Sequence, residues 1–479
     1  MTQRLLSPIE EALWIECQDE SGSAAYHVPY VLRADGDLDV DALRAALDDL
    51  VARHDALRTG FAWHEGAAVA VTEPRWAVPF EVVDLRGDDR SAGEVSALVA
   101  QATGETLDLS RPPLLKCTVL LVEPGRSVVC LLLHHLVTDG RSRELLFDDL
   151  VRDYRRHALG ESAEVTAELR SYREWSESWH RSLDGGEFEE HRRFWRTQVA
   201  DAADNRPERL LGGPRQARGY RGRRIERVIG RPRLAAVRRF AARNRSTMSA
   251  VLMGAWAATI ARLGAVSRVP IGVVSANRMP DSTDIVGAFA GTVPVVVPVD
   301  PAAGFAACVT EAGLVLREVL RRPVVPLHRL DPEADRVPEA WRHVFDVMFV
   351  HTMVPGAVDM GGLTVTPLAA PAESAKCRLL LTVVESRDEL RLGVEYDEGV
   401  LSAETAEAVA GELVRVLDEG PARPEAPLAT FAASATPEPL SLAGSVVVEG
   451  SLHGLFERWV GVSPDAVAVV GEGVEWSYR

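Results

Sequence analysis

Two adjacent imidazoles at the end of an apolar run are the residues of this 479-residue chain best placed to do chemistry. After Ser127, Val128 to Leu133 is wholly apolar and stops at His134 and His135; Leu136, Val137 and Thr138 then lead to Asp139-Gly140. An imidazole with a free nitrogen can accept or shuttle a proton near neutral pH. A carboxylate one loop away can orient a histidine or, if buried, pair with an arginine that braces the loop. The apolar run reads as a strand buried on both faces, although periodicity alone leaves a buried helix open. From Ser142 onward Leu145, Leu146, Phe147, Leu150, Val151 and Tyr154 recur at helical spacing until Gly160. Asp139-Gly140 is therefore a turn opening a helix, where unpaired backbone N–H groups can face a developing oxyanion. Neighbouring strand residues face opposite sides, so one histidine should face a cleft and the other the interior. His-His-x-x-x-Asp could supply metal ligands, but no further His, Asp, Glu or Cys cluster has ligand spacing, and no metal is expected. No Gly-x-Ser-x-Gly nucleophile turn is present, which favours direct transfer between two bound substrates.

The surrounding pattern is that of a two-part α/β (α+β) chain. Before the histidines, an amphipathic helix over 1–16 opens at Ser7-Pro8, and strand and helix signals alternate: Tyr26 to Leu32, Asp39 to Val51, Phe80 to Val83, Ser91 to Thr103 and Leu114 to Val122. A helix-rich connection carries Tyr172, Trp175, Trp179, Phe194 and Trp195. A second sheet-and-helix unit follows. Its signals are a helix capped by Thr247 or Ser249, strands at 269–274, 343–350, 379–384 and 390–396, a glycine-interrupted strand from Ile285 to Val299, and a helix over 403–417. Residues 420–449 are Pro/Ala/Ser/Glu-rich without period, as in a linker, and a new pattern starts past Gly450.

Composition narrows the function classes. A net charge of −17 argues against nucleic acid as a partner. No apolar run reaches the roughly 18–20 residues that span a bilayer, and no secretory leader follows Met1, so a cytoplasmic protein is expected. Cys17, Cys117, Cys130, Cys308 and Cys377 are scattered, as reduced thiols rather than a disulfide frame. Only Lys116 and Lys376 are lysines. Fourteen arginines between Arg206 and Arg245 face only Glu208 and Glu226 in sequence, a solvated face or a seat for a phosphate-bearing partner.

His134-His135-Leu136-Val137-Thr138-Asp139-Gly140 resembles the HHxxxDG motif of condensation domains of nonribosomal peptide synthetases. Arg53-His54-Asp55-Ala56-Leu57-Arg58-Thr59-Gly60-Phe61 resembles the family's RHExLRTxF, Tyr172-Arg173-Glu174-Trp175 its YxDYAxW, and Val286 to Thr292 its IGxFVNT. The tail from Leu452 resembles the opening of an adenylation domain. The sequence departs from the family pattern in several places. Arg141 replaces the usual tryptophan after the motif glycine, Gly291 replaces the asparagine of IGxFVNT, and Ser7 to Trp14 lacks the Gln and Arg of the first-helix motif. The arginine of RDxSRxP has no clear counterpart; Arg342 in Trp341-Arg342-His343-Val344-Phe345 is the nearest.

The resemblance implies two chloramphenicol-acetyltransferase-like subdomains, 1–180 and 181–435, in a V-shaped pseudo-dimer with a central tunnel, a linker at 436–449 and a truncated adenylation start at 450–479. It implies that donor and acceptor arrive on phosphopantetheine arms of an upstream and a downstream carrier domain, that the domain itself binds no cofactor, that an adenylation domain is adjacent, and that the chain is a monomer. By position, His135 is the catalytic group, a base or a positioner of the acceptor amine. His134 and Asp139 are structural, Gly140 offers a backbone N–H to the thioester oxygen, and Thr138, Arg141, Ser142 and Gly291 line the tunnel. Arg58, Arg278 and Arg342 all remain candidates to pair with Asp139. Alternatives to peptide-bond formation are a non-catalytic relative that binds carriers or recruits a tailoring enzyme, an epimerisation domain, and a carrier-independent acyltransferase.

Overall fold

The apolar run before the histidines is an interior strand of a six-stranded sheet, packed on both faces. In the computed structural model the described residues are 2–18, 20–87, 92–161, 171–184, 188–212, 222–331, 337–338, 341, 344–353, 356–368, 376–432, 467–471 and 474–477. Residues 1–439 form one compact unit and 440–479 another.

The first unit begins β1 (Thr2–Leu5), α1 (Pro8–Glu16), α2 (Glu20–Ala25), β2 (His27–Asp35), α3 (Val40–Arg53), β3 (Thr59–His64), β4 (Ala67–Thr72) and β5 (Phe80–Asp84). It continues α4 (Ala92–Gly104), β6 (Leu115–Glu123), β7 (Arg126–His134), α5 (Gly140–Leu159), α6 (Tyr172–Asp184), α7 (Glu189–Asp204) and α8 (Glu208–Leu211). Then come β8 (Gly222–Ile229), α9 (Arg231–Arg243), α10 (Met248–Gly264), β9 (Arg268–Ser275), β10 (Gly291–Pro298) and α11 (Phe305–Leu320). Last are β11 (Val347–Met353), β12 (Val358–Asp359), β13 (Thr364–Leu368), β14 (Leu379–Glu385), β15 (Leu390–Asp397) and α12 (Ala403–Ala422). In the second unit the described residues form a hairpin, β16 (Val467–Gly471) with β17 (Val474–Ser477). Residues 451–458, where the new sequence pattern starts, lie outside the described residues.

Two six-stranded mixed sheets organise the first unit, in the orders β12-β13-β2-β7-β6-β5 and β10-β9-β11-β14-β15-β8. The period-2 rule accounts for the burial of β7. Val129, Leu131 and Leu133 face the core shared with α3 and α5, whereas Val128 and Cys130 face the cluster completed by Leu85, Ala102 and Leu120. In the second half α10 is apolar on all sides and accordingly central, with Val251, Ala255, Trp256 and Ile260 fully buried. The aromatic connection belongs to that core: Tyr172, Trp175, Trp179 and Trp195 all pack within it. All five cysteines are buried free thiols. Among the described residues no helix is long and apolar enough to cross a membrane.

Two sequence expectations are corrected. Residues 2–5 are a strand paired with β4, not part of the first helix. Ser7 caps α1 through a capping box with Glu10, which fixes the helix start at Pro8. Residues 285–290 are not a strand either; β10 begins only at Gly291, because the backbone before it bonds elsewhere, as described below.

One connection had no local signal. The segment 356–368 leaves the second sheet after β11 and its β13 joins the first sheet, pairing antiparallel with β2. Leu363 and Val365 are buried in the first half's core, so the crossing is a strap held by apolar burial. Val365→Asp places an uncompensated carboxylate there and should lower stability by about 3 kcal/mol or more. Thr364→Asp, on the exposed face of the same strand, should leave the urea midpoint within error of the parent.

Candidate functional site

His134 ends β7 and His135 extends its ladder by one residue, donating its N–H to the Tyr26 carbonyl at 3.0 Å. His134 is fully buried. Its Nδ1 accepts the Leu136 N–H at 3.1 Å, so the ring proton is on Nε2, toward Ser23 Oγ at 3.4 Å and Cys17 Sγ at 3.9 Å. Burial, helped by the neighbouring His27, pushes its pKa down to about 3. It is a neutral structural imidazole tying the motif loop to α1 and α2.

His135 has the opposite arrangement. Its Nδ1 lies 3.3 Å from the Thr138 carbonyl, an acceptor only, so Nδ1 carries the proton and Nε2 keeps its lone pair. The ring is half-buried. Burial pushes its pKa well below the usual 6.5, with the Lys376 and Arg143 cations and His134 acting in the same sense. The Tyr26 ring meets it edge to face (centroids 6.3 Å apart), and the charge of Lys376, just before β14 of the second sheet, reaches it.

Asp139 does not touch this ring. It caps α5, accepting from Ser142 N at 2.7 Å, and it accepts from Arg278 Nη2 at 2.8 Å and from the Phe289 and Ala290 N–H groups at 3.2 Å each. A carboxylate has about four acceptor sites, and all four are occupied. Arg278 is therefore the partner left open by the sequence. Its side chain is 7% exposed; its Nη1 donates to the Ser282 and Ile285 carbonyls, its Nη2 also to Ser142 Oγ, and its guanidinium stacks 3.7 Å from the Phe289 ring centre. Burial draws its pKa down, and the Asp139 charge opposes that. Residues 278–290 lie between β9 and β10 of the second sheet and 139–142 follow β7 of the first, so the pair ties the two sheets together.

The other candidates fall as follows. Arg58 does not reach Asp139: its guanidinium donates to the Val51, Glu73 and Pro74 carbonyls, closing the turn between α3 and the β3–β4 hairpin. Arg342 lies outside the described residues. Ser142 is completely buried, its Oγ donating to the Gly287 carbonyl at 2.8 Å, so it clasps the halves instead of lining an open channel. The Thr138 side chain is also buried; only its carbonyl meets the site. Arg141 points away along α5 to Glu144 at 2.9 Å and toward the Thr283 carbonyl at 3.4 Å. Gly140 is exposed, with open space where a Cβ would stand. Gly291 packs against Val324 and Ile9, and a Cβ there would meet Val324 Cγ1 at 2.7 Å. Gly287 is more constrained: a Cβ would meet the Tyr172 ring at 2.0 Å. The Tyr172 hydroxyl donates to the Ala288 carbonyl at 2.7 Å, and Asp55 caps its helix through the Tyr172 and Arg173 N–H groups.

Sequence reasoning missed Tyr26, Arg143 and Lys376 as neighbours of His135. The scarcity of lysine was the one signal, and it pointed to no site. The arginine-rich segment meets acidic residues of its own half: Arg206 pairs with Asp346 at 2.8 Å, Arg231 with Asp388 at 2.9 Å and Arg238 with Glu385 at 2.7 Å, and Arg223 and Arg227 with Glu398 and Glu407. Those positions are a paired structural face; Arg215, Arg218 and Arg221 lie outside the described residues. Among the described residues no group of three or more His, Cys, Asp or Glu could hold a metal ion.

The condensation-domain family profile matches residues 2–438. A probable non-canonical nonribosomal peptide synthetase of Salinispora arenicola is 29% identical over 494 aligned residues, which take in 99% of this chain but span 6% of that synthetase. The first condensation domain of the calcium-dependent antibiotic synthetase, solved with a substrate analogue, superposes with a TM-score of 0.75 at 21% identity, covering 91% of this chain and 99% of that one. The X-domain from teicoplanin biosynthesis, solved in complex with OxyB, gives a TM-score of 0.69 at 21% identity, covering 90% and 96%. At these identities the two structures establish the mixed α/β fold.

Two outcomes test this geometry. Arg278→Ala leaves the Asp139 carboxylate buried without its cation and should lower unfolding stability by about 3–5 kcal/mol, read from urea denaturation. The histidines predict a pH effect. A folded His134 with pKa about 3 stays neutral where the unfolded chain takes up a proton, so stability should rise with pH from about 3 to 6.5. That one group contributes about 1.4 kcal/mol per pH unit across the window, and His134→Gln should flatten the slope by that amount.

Proposed function

We propose that this chain, which belongs to the condensation-domain family, joins an acyl or peptidyl thioester on one carrier domain to the α-amine of an aminoacyl thioester on another. The observation that carries this is the state of His135: neutral, its Nδ1–H fixed on the Thr138 carbonyl, its Nε2 lone pair left without a hydrogen-bond partner among the described residues. The acceptor amine donates an N–H to that lone pair, which aims the nitrogen at the donor carbonyl carbon. A C–N bond forms as the carbonyl opens, with the Gly140 N–H at the start of α5 as donor to the developing oxyanion. The carbonyl then re-forms, the C–S bond breaks, and the surplus amine proton passes by His135 to the departing thiolate. The lengthened chain is left on the downstream arm and a free thiol on the upstream one. An amine and a thioester react with modest assistance, so positioning accounts for much of the effect.

Phosphopantetheine arms bring both substrates, and the partners are an upstream donor carrier and a downstream acceptor carrier. The chain is read as two acetyltransferase-like halves, 1–180 and 181–435, a linker at 436–449 and the opening of an adenylation domain at 450–479, acting as a monomer. The fold likeness to an X-domain solved with OxyB favours a second reading, in which the chain binds a partner without doing chemistry. The paired histidines and their hydrogen-bond assignments weigh against it.

The distinguishing experiment supplies the 479-residue protein with a loaded donor carrier and an aminoacyl carrier and follows the acceptor by intact-protein mass spectrometry. The parent should transfer the donor, and His135→Ala should slow transfer about 100-fold or more while keeping the parent's melting behaviour. Undiminished transfer by His135→Ala would remove His135 from the mechanism, and no transfer by the parent would favour the binding-only reading.

A further inference from the structure

Of the 53 basic residues only Lys116 and Lys376 are lysines. Lys116 has an ordinary place, paired with Glu105 at 2.8 Å near the surface. Lys376 does not. It stands just before β14, in the second half, with its Nζ 5.3 Å from the centre of the Tyr26 ring, the same ring that meets His135 edge to face. Among the described residues no carboxylate lies within ion-pair distance of that ammonium. The nearest acid to influence it is Glu395, already engaged by Thr382 Oγ1 at 3.1 Å and Arg224 at 3.7 Å. The other cation that acts on His135, Arg143, lies 5.4 Å over the Tyr30 ring, likewise without a carboxylate at ion-pair distance among the described residues.

An ammonium withdrawn from bulk water is costly unless an anion or a full set of acceptors meets it, and an aromatic face compensates only in part. Lys376 is half-buried, and burial lowers its pKa while the Glu395 charge opposes that. Two cations, each resting on a tyrosine, thus bear on one neutral base, and among the described residues neither has a carboxylate at ion-pair distance. Lysine is the compact choice for such a place, a mobile point charge with three donors, where the fixed fork of arginine would fill the space.

We propose that Lys376 receives a carboxylate carried by one of the two substrates, so that the donor acyl group or the acceptor aminoacyl group handled here bears an acid in addition to its thioester. This rests on the amide-forming reading above. The phosphate of the carrier arm does not serve instead, because it lies at the far end of pantetheine from the reacting sulfur. Lys376 is then a specificity-determining residue whose charge is matched only when the acidic substrate is in place.

The test compares matched pantetheine thioesters with the full 479-residue protein, each pair differing by carboxylate against amide. The acceptor arm uses glutamyl against glutaminyl thioester with a common neutral donor; the donor arm uses succinyl against succinamoyl thioester with a common neutral acceptor. The carboxylate member should win in one arm by about tenfold or more in kcat/KM, the usual worth of a charge-assisted hydrogen bond. Lys376→Gln should erase that preference, and Lys376→Arg should retain part of it. Product formation with no preference in either arm, or a preference that survives Lys376→Gln, overturns the proposal. If no pair reacts, the amide-forming reading fails by itself. Lys376 is then judged by calorimetric binding of glutaryl-pantetheine against glutaramoyl-pantetheine: a preference lost in Lys376→Gln supports the assignment, and equal binding by the parent overturns it.

Discussion

The buried ion pair between Asp139 and Arg278 is the contact on which the geometry of the site depends. It combines a helix cap, a charge pair and two backbone hydrogen bonds on a single carboxylate. Each partner on its own would be an expensive buried charge, so the folded state is favourable only when the two halves meet in register. The consequence is local. The loop 136–139, whose Thr138 carbonyl sets the tautomer of His135, is held at one end by β7 and at the other by Asp139.

His135 therefore depends on the clasp without touching it. With Asp139 fully occupied, no carboxylate among the described residues raises the basicity of His135, and burial with nearby cations lowers its pKa. Such an imidazole is a weak base and a good hydrogen-bond acceptor at neutral pH. That would suit the reaction proposed above, whose nucleophile is already an amine: holding the amine neutral and aimed is worth more there than taking a proton from it.

Much of this was legible in the residues. The strand with two buried faces, the helix closed by Gly160 and the opposite facing of His134 and His135 follow from period and sterics alone, and the structure has all three. What could not be read was long-range. Arg278 and Arg58 are both arginines in loops next to family-like motifs, and only the meeting of the halves distinguishes the one that reaches Asp139. The strap of β12 and β13 carries no local sign of pairing with β2, some 330 residues away in sequence. The segment 285–290 has strand-like composition, yet its backbone N–H groups bond to a carboxylate and its Gly287 lies against Tyr172, so it cannot be a strand.

The same contacts explain where the sequence could depart from the family pattern without losing the site. The clasp uses the backbone of residues 287–290 and the side chains of Asp139, Ser142 and Arg278. Position 291 contributes no side chain to it, and the close approach of Val324 leaves no room for one, so glycine stands there without cost to the reaction centre. Arg141 replaces an aromatic residue on the outer side of the α5 start, where it reaches the Thr283 carbonyl across the same seam by a polar route. Both departures spare the groups that fix His135. Lys376 stands apart from the seam, because its charge acts on His135 directly and its ammonium lies over the Tyr26 ring that meets His135. Substitution at the seam changes how the two sheets are joined; on the proposal above, substitution of Lys376 changes which substrate is accepted.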